Sequence, residues 1–165
     1  MRARGNLIRT LEVAVSQSSN NNTLKLTHWD TACWERLLAD AELLTLANGD
    51  ILLQRNEATN DLFFLVEGTL EVSILQSGSQ SMSPLAVIQP GSVVGEIAFF
   101  DDHSRSASVW SRGETILFRL RRPAFLDFQG REPALAADLL FALGKILAER
   151  LRRANAVPGS GFSYH

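Results

Sequence analysis

The sequence predicts a mainly β domain, a sandwich, roll or barrel with flanking helices, from three observations. Between Glu42 and Leu120 the apolar pattern has the period of strands, in short runs punctuated by Gly49, Asn56, Asn60, Gly68, Gly78, Gly91, Gly95 and Gly113. On either side of that stretch the period becomes helical. The chain of 165 residues, with a single cysteine, fits one domain large enough to bury its core without disulfides or a structural metal.

Residues 1 to 26 join a basic start, a weak apolar patch from Leu11 to Val15 and the polar run SQSSNNN. Such a segment lacks the apolar surface to order itself and is expected to be a disordered tail or linker. The domain proper is expected over 27 to 155. Its first helix begins near Thr27, where Thr27 and Asp30 have capping-box spacing, and presents Trp29, Cys33 and Leu37 with Trp34 and Leu38 beside them. Among the strands, Leu62 to Val66 (LFFLV) is apolar on both faces and belongs inside. In Thr69 to Leu75, Leu70, Val72 and Ile74 alternate with Glu71 and Ser73, so one face is buried and one is wet.

Gly68 supplies the permissive backbone of the connection between these two strands, and QSGSQSMS (76 to 83) reads as a solvated hairpin loop. A short helix follows over Arg122 to Phe128. A long one starts at Glu132-Pro133 and runs to about Asn155, with Leu135, Leu139, Leu143, Ile146, Leu147 and Leu151 as its apolar stripe. Arg150, Arg152 and Arg153 gather near its C-terminus, where cations complement the helix dipole. Gly144 in its middle hints at close approach by another element. Residues 156 to 165 are expected to be a disordered tail.

Composition narrows the function classes. Sixteen Lys and Arg against 18 Asp and Glu leave a net charge of -2, which provides no field to hold nucleic acid or an acidic membrane surface. Cys33 cannot pair within the chain and lies in an apolar helical pattern, which favours a reducing compartment and a buried, inert thiol. Apolar runs fall well short of the roughly 18 residues of a membrane span, and MRARGNLIRT has no signal-peptide core. A soluble, cytoplasmic protein is expected. His28, His103 and His165 are scattered, so no metal site of clustered histidines is expected, and no set of nucleophile, base and orienter indicates an enzyme.

The informative stretch is GSVVGEIAFFDDHSRSASV, from Gly91 to Val109. In Gly95-Glu96-Ile97-Ala98 a glycine leads into one helical turn, whose unpaired N–H groups favour an anion. Nine positions after Glu96 stands Arg105, whose fork of donors grips a phosphate, followed by Ser106 and Ala107. Glu96 beside a phosphate is ill suited to bind it and well suited to accept a hydrogen bond from a sugar hydroxyl. Phosphate plus vicinal hydroxyl points to a nucleotide. The bland alternative is a surface ion pair of Glu96 with Arg105 and glycines that serve only turns.

These residues, with Gly49-Asp50, Leu62 to Val66, Gly68 and Pro90-Gly91, resemble the cyclic nucleotide-binding domain of catabolite activator proteins, protein kinase A regulatory subunits and cyclic nucleotide-gated channels. The resemblance covers roughly residues 28 to 155. It implies an eight-stranded β-roll of the double-stranded β-helix or jelly-roll type, with one helix before it and two after it. It also implies a phosphate-binding cassette of Gly95, Glu96, Ile97, Ala98, Arg105, Ser106 and Ala107. There Arg105 and the N–H groups of Ala98 and Ser106 would hold the cyclic phosphate, while Glu96 and the Gly95 backbone would hold the ribose 2'-OH. The base would lie between the roll and the long C-terminal helix.

Three departures leave these groups intact: Asn56 stands at a turn glycine, where asparagine tolerates a left-handed backbone, Val94 replaces an aromatic residue, and Ser104 replaces a proline before Arg105. Ser106 favours cAMP over cGMP by the same resemblance, although its hydroxyl can also bond guanine. The implied role is a regulatory sensor in which ordering of the cassette passes through Phe99 and Phe100 to the last two helices. No helix-turn-helix domain is expected in the ten residues after Asn155. The output would therefore fall to a second copy joined through the long helix, to a separate effector protein or to an upstream domain. A different class of function, a ligand-free interaction or dimerisation module, shares the fold and would be set apart by failure to bind cAMP.

Overall fold

The computed structural model describes residues 3–75 and 82–156, which form two antiparallel four-stranded sheets. Strands β1 (Glu42–Leu46), β8 (Thr115–Leu120), β3 (Leu62–Glu67) and β6 (Val93–Val94) lie side by side in the first. The second holds β2 (Ile51–Leu53), β7 (Ser108–Ser111), β4 (Leu70–Leu75) and β5 (Met82–Ile88). Eight strands in this arrangement are the jelly-roll fold that the resemblance implied.

Why β3 is apolar on both faces follows from its place in a three-layer structure. Phe63 and Leu65 point into the space between the sheets, where they meet Leu53, Leu70, Ile88, Val94, Val109 and Leu117. Leu62, Phe64 and Val66 point the other way, into a second core shared with Phe118, Leu120 and the helices. The first sheet is thus covered on both faces, and strict alternation of polar and apolar residues is lost where both faces are dry.

The helical layer contains α1 (Arg4–Gln17), α2 (Thr31–Leu38), α4 (Arg122–Arg131) and α5 (Pro133–Ala156). The helix α1 overturns the expectation of a disordered N-terminal tail. Leu7, Ile8, Leu11 and Val15 are buried along one side of it, at spacings that follow the 3.6-residue period. Its fit to the sheet is close: a Cβ on Gly91 would lie 2.7 Å from the carbonyl carbon and oxygen of Ala14. The polar run after α1 bonds to itself, with Asn20 N–H donating to Ser18 Oγ and Asn22 N–H to Asn20 Oδ1. Such short side-chain bonds build turns, which a reading of composition alone mistakes for disorder. The segment then pairs with the strand edge, Thr23 bridging to Ser92.

Helix α2 starts later than the capping spacing suggested. Asp30 is its N-cap and accepts from Cys33 N–H at 2.9 Å, while Thr27 lies ahead of the helix. Trp29, just outside it, is buried edge-on against Trp34. Arg4 donates to the carbonyls of Leu38 and Ala41 at the other end, tying α1 to α2. In α5 the buried positions are Ala136, Leu139, Ala142, Leu143 and Ile146, whereas Leu151 is 52% exposed and so lies off the packed face. The loop expected over 76–83 and the tail expected over 156–165 fall mostly outside the described residues.

Because Leu11 is fully buried against the helical core, Leu11→Ala is expected to destabilise the protein by about 2–5 kcal/mol. Urea unfolding checks this; a shift within about 0.5 kcal/mol, as for a surface position, would mark α1 as dispensable.

Candidate functional site

The site forms where β6 runs into α3 (Glu96–Asp101) and the chain returns toward β7. Gly95 is the N-cap of α3, with φ at 90°. Its lack of a Cβ serves two purposes: the left-handed backbone is accessible, and the carbonyl of Asp61 and Nη1 of Arg105 approach to 2.7 and 2.8 Å of where a Cβ would stand. Glu96 follows as the first helical residue and is 2% exposed, Ala98 is buried, and Ile97 is 41% exposed.

Arg105 is 3% exposed, and its donors reach three residues on two segments. Nε donates to Thr59 Oγ1 at 2.9 Å, Nη1 to the Gly95 carbonyl at 3.0 Å and Nη2 to the Asp61 carbonyl at 3.0 Å. Its backbone is fixed as well, the N–H donating to Glu57 O and the carbonyl accepting from Asn56 N–H, both at 2.9 Å. Asn56 there has φ at 70°, the left-handed conformation that suits asparagine in place of glycine. The ring of Phe63 lies 5.9 Å from the guanidinium.

The acceptors of Arg105 are all neutral. The nearby Asp61 carboxylate is engaged by Arg119, with Nε donating to Oδ2 at 2.7 Å, and among the described residues no carboxylate pairs with Arg105. Burial pushes the Arg105 guanidinium below its ordinary value, with Asp61 and Glu57 acting in the opposite sense. Three of its five N–H groups are used, so two remain for an incoming acceptor. A buried cation with spare donors, at the positive end of a helix, is an environment for an anion.

Glu96 and Arg105 do not form the surface ion pair of the bland alternative. Both are buried, and Glu96 Oε1 is bonded by Nη1 of Arg150, which comes from α5. Arg150 Nε also donates to Asn22 Oδ1 at 3.0 Å. Burial first, and then Arg153, pulls the Arg150 guanidinium below its ordinary value. The sequence reading assigned Arg150 to the helix dipole together with Arg152 and Arg153, and nothing in that arginine cluster distinguished the one that turns inward. Thr59, Asp61 and Asn22 were missed likewise, because two of them act through positions in loops and one through its backbone carbonyl. Ser106 is exposed and Ala107 half-buried, on the approach to β7.

The far end of α3 is gripped by α4. Arg122 Nη1 donates to the Phe99 carbonyl and to Asp102 Oδ1, its guanidinium lying 5.1 Å from the Phe99 ring. Phe99 packs edge-on against Phe125 of α4 with centroids 5.1 Å apart. Phe100, in contrast, is 40% exposed.

Residues 43–132, more than half of the chain, match the family described as the cyclic nucleotide-binding domain, and the chain belongs to that family of regulatory ligand-binding domains. It is 28% identical over 121 residues to the Pycsar effector protein BcPycTIR of Burkholderia cepacia, covering 72% of this chain and 38% of the relative. The chain spans less than two fifths of the length of the curated relatives it matches. Among solved structures, a cyclic nucleotide-binding domain from Methylobacillus flagellatus aligns with a TM-score of 0.79 at 18% identity, covering 97% of this chain and 87% of that one. The catabolite activator protein of Thermus thermophilus gives 0.67 at 25% identity, covering 86% of this chain and 60% of that one. No helix among the described residues is long and apolar enough to cross a membrane, and no group of His, Cys, Asp and Glu there is placed to hold a metal ion.

Gly95→Ala is expected to lower stability by about 1–3 kcal/mol through backbone strain, plus the clash with Asp61 and Arg105. Gly113→Ala is the control, since Gly113 has φ at 85° but open space around it. Urea midpoints of the two variants, compared at equal m-value, should show the larger loss at Gly95.

Proposed function

We propose that this domain binds a cyclic nucleotide, cAMP in preference to cGMP, and relays its presence to the C-terminal helices. The observation that carries the reading is the buried Arg105 guanidinium, without a carboxylate partner and with two donors to spare. In this reading Arg105 and the N–H groups of Ala98 and Ser106 hold the cyclic phosphate. Glu96 and the Gly95 backbone hold the ribose 2'-OH, Ile97 and Ala107 line the cassette, and the base lies toward α5. The choice of cAMP follows Ser106, which is exposed and free to meet a base. The domain performs no catalysis itself and works in the cytoplasm.

The relay runs from α3 to α4 through Phe99, Phe125 and Arg122, and Phe100 takes no part in it because it packs on Phe99 from the solvent side. Kinship with an effector protein much longer than this chain supports a sensor whose output lies in an effector partner or in a further domain. A second copy is the partner we place on α5. Ala137, Phe141, Gly144, Ala148 and Leu151 are exposed along one side at alternating spacings of four and three, and a Cβ on Gly144 would meet nothing within 4 Å in the chain itself.

Calorimetry with cAMP, cGMP and a cyclic dinucleotide side by side tests the ligand. Binding of cAMP is expected to be tightest, and Arg105→Ala should weaken it by about 2–5 kcal/mol. Heat from neither cyclic mononucleotide at high micromolar concentration, together with no effect of Arg105→Ala, would leave the ligand-free interaction module as the better reading. For the second copy, light scattering should show Phe141→Glu as a monomer where the unaltered chain is a dimer. Phe141 is the position to alter because it is 74% exposed, so the change leaves the core intact.

A further inference from the structure

We propose that Arg150 is a latch: it holds the last turns of α5 on the carboxylate of Glu96, and a ligand hydroxyl that takes that carboxylate frees the helix end. The proposal rests on the reading of Glu96 as the acceptor for the ribose 2'-OH.

The packing of α5 locates the latch. Ile146, 3% exposed, is the last fully buried residue of the helix. Beyond it only Leu147 and Arg150 are half-buried, and residues 148, 149 and 151–156 are exposed. A cavity of about 240 Å³ opens between this stretch and the segment after α1, lined by Asn21, Lys25, Lys145, Ile146, Glu149 and Arg152. Three of those residues are cations, and the small side chains of Ala142 and Ala148 complete the lining. Glu149 is engaged within α5 itself, by Arg153 at 3.3 Å. Among the described residues, Arg150 ties the end of α5 to the body through Glu96 and Asn22.

The same bond covers the carboxylate. The Glu96 side chain is 3% exposed, with Arg150 on Oε1. A ribose hydroxyl must come within hydrogen-bond distance of that group, and the element most easily moved to admit it is the weakly packed helix end. The exchange is unsymmetrical. Glu96 trades a charged donor for a neutral one, while Arg150 returns to water and regains its hydration. The phosphate anchors the ligand on the spare donors of Arg105 in either position of α5, and the hydroxyl, which reaches Glu96 only when Arg150 has left it, supplies the difference between them. A ligand shifts such an equilibrium only by the difference in its affinity for the two positions of α5. By linkage, removing the latch must raise ligand affinity by the same factor.

Asn22 extends the latch to the N-terminal segment. Its side chain accepts from Arg150, and its backbone carbonyl accepts from Val93 N–H at 3.4 Å, two residues before Gly95. Release of Arg150 therefore loosens the helix end without unpairing the segment from β6.

Hydrogen exchange and calorimetry on the full chain test this, with cAMP and 2'-deoxy-cAMP as probes. In the unaltered protein, cAMP should speed exchange of the amides of 150–156, whereas 2'-deoxy-cAMP, which keeps the phosphate and lacks the hydroxyl, should leave them unchanged. Arg150→Gln should show fast exchange there without any ligand and bind cAMP roughly five- to fifty-fold tighter, a gain not shared by 2'-deoxy-cAMP. Asn22→Ala, a milder change, should move both readouts in the same direction by less. Weaker or unchanged cAMP binding by Arg150→Gln, or protection of 150–156 by cAMP, would overturn the latch while leaving nucleotide binding standing. Absence of binding by both proteins would instead defeat the nucleotide reading, and the latch with it.

Discussion

A guanidinium buried without a carboxylate is the constraint around which the site is built. Arg105 has lost its hydration, and the protein replaces it with one hydroxyl and two backbone carbonyls, drawn from Thr59, Asp61 and Gly95. These oxygens satisfy donors without neutralising charge, so the positive potential persists for a ligand to meet. The arrangement demands a rigid frame. Asp61 immediately precedes β3, the strand packed in two cores at once, and the Asp61 carboxylate is held in place by Arg119 of the adjoining β8. Gly95 must come within contact distance of the same carbonyl, which only a residue without a Cβ allows.

The three layers divide the work. The second sheet and the inner face of the first form a small closed core that fixes the strands. The outer face of the first sheet carries the helices, and there α3 meets elements from both ends of the chain through Phe99. Phe99 reaches from α3 into this helical core and packs on Phe125, so a shift of α3 must be felt by α4. Contact through stacked aromatic edges and the Arg122 grip transmits displacement better than an exposed loop does, because close-packed interiors yield in discrete steps. The N-terminal segment belongs to the same junction, since Gly91 is pressed against α1 and Asn22 touches both β6 and α5.

The β-rich class, the two faces of β3, the long last helix and a glycine leading into a helical turn at Glu96 were legible in the sequence. They are local properties: strand period, a run apolar on both faces, and a glycine placed before a helical turn. What escaped was each feature whose meaning depends on a distant partner. Leu7 and Ile8 complete the apolar side of α1, yet beside SQSSNNN they read as part of a tail, because a short run of buried leucines reveals its value only against a waiting surface. Gly91 reads in sequence as a turn glycine, and only the structure shows that the backbone of α1 also fills the space a Cβ would need there. The inward turn of Arg150 carried no signal: three arginines within four residues are equivalent in sequence, and only the helix phase set by Leu139, Leu143 and Ile146 puts one of them over Glu96.

The separation of Glu96 from Arg105 has the largest consequence for how the domain works. Had the two paired, the site would be neutral, and a ligand would have to break a buried ion pair, at a loss of about 3–5 kcal/mol, before making any contact. Instead each charge is answered by a different element. Arg105 is satisfied by neutral oxygens of the rigid frame, and Glu96 by a cation on the least packed part of α5. An anion can therefore engage Arg105 with no internal partner to displace, while engagement of Glu96 necessarily involves α5. A ligand carrying both an anion and a neighbouring hydroxyl touches the fixed and the movable parts together, and a ligand with only one of them does not. In the function proposed above, discrimination by chemical class and communication with the helix both arise from this single division of charge.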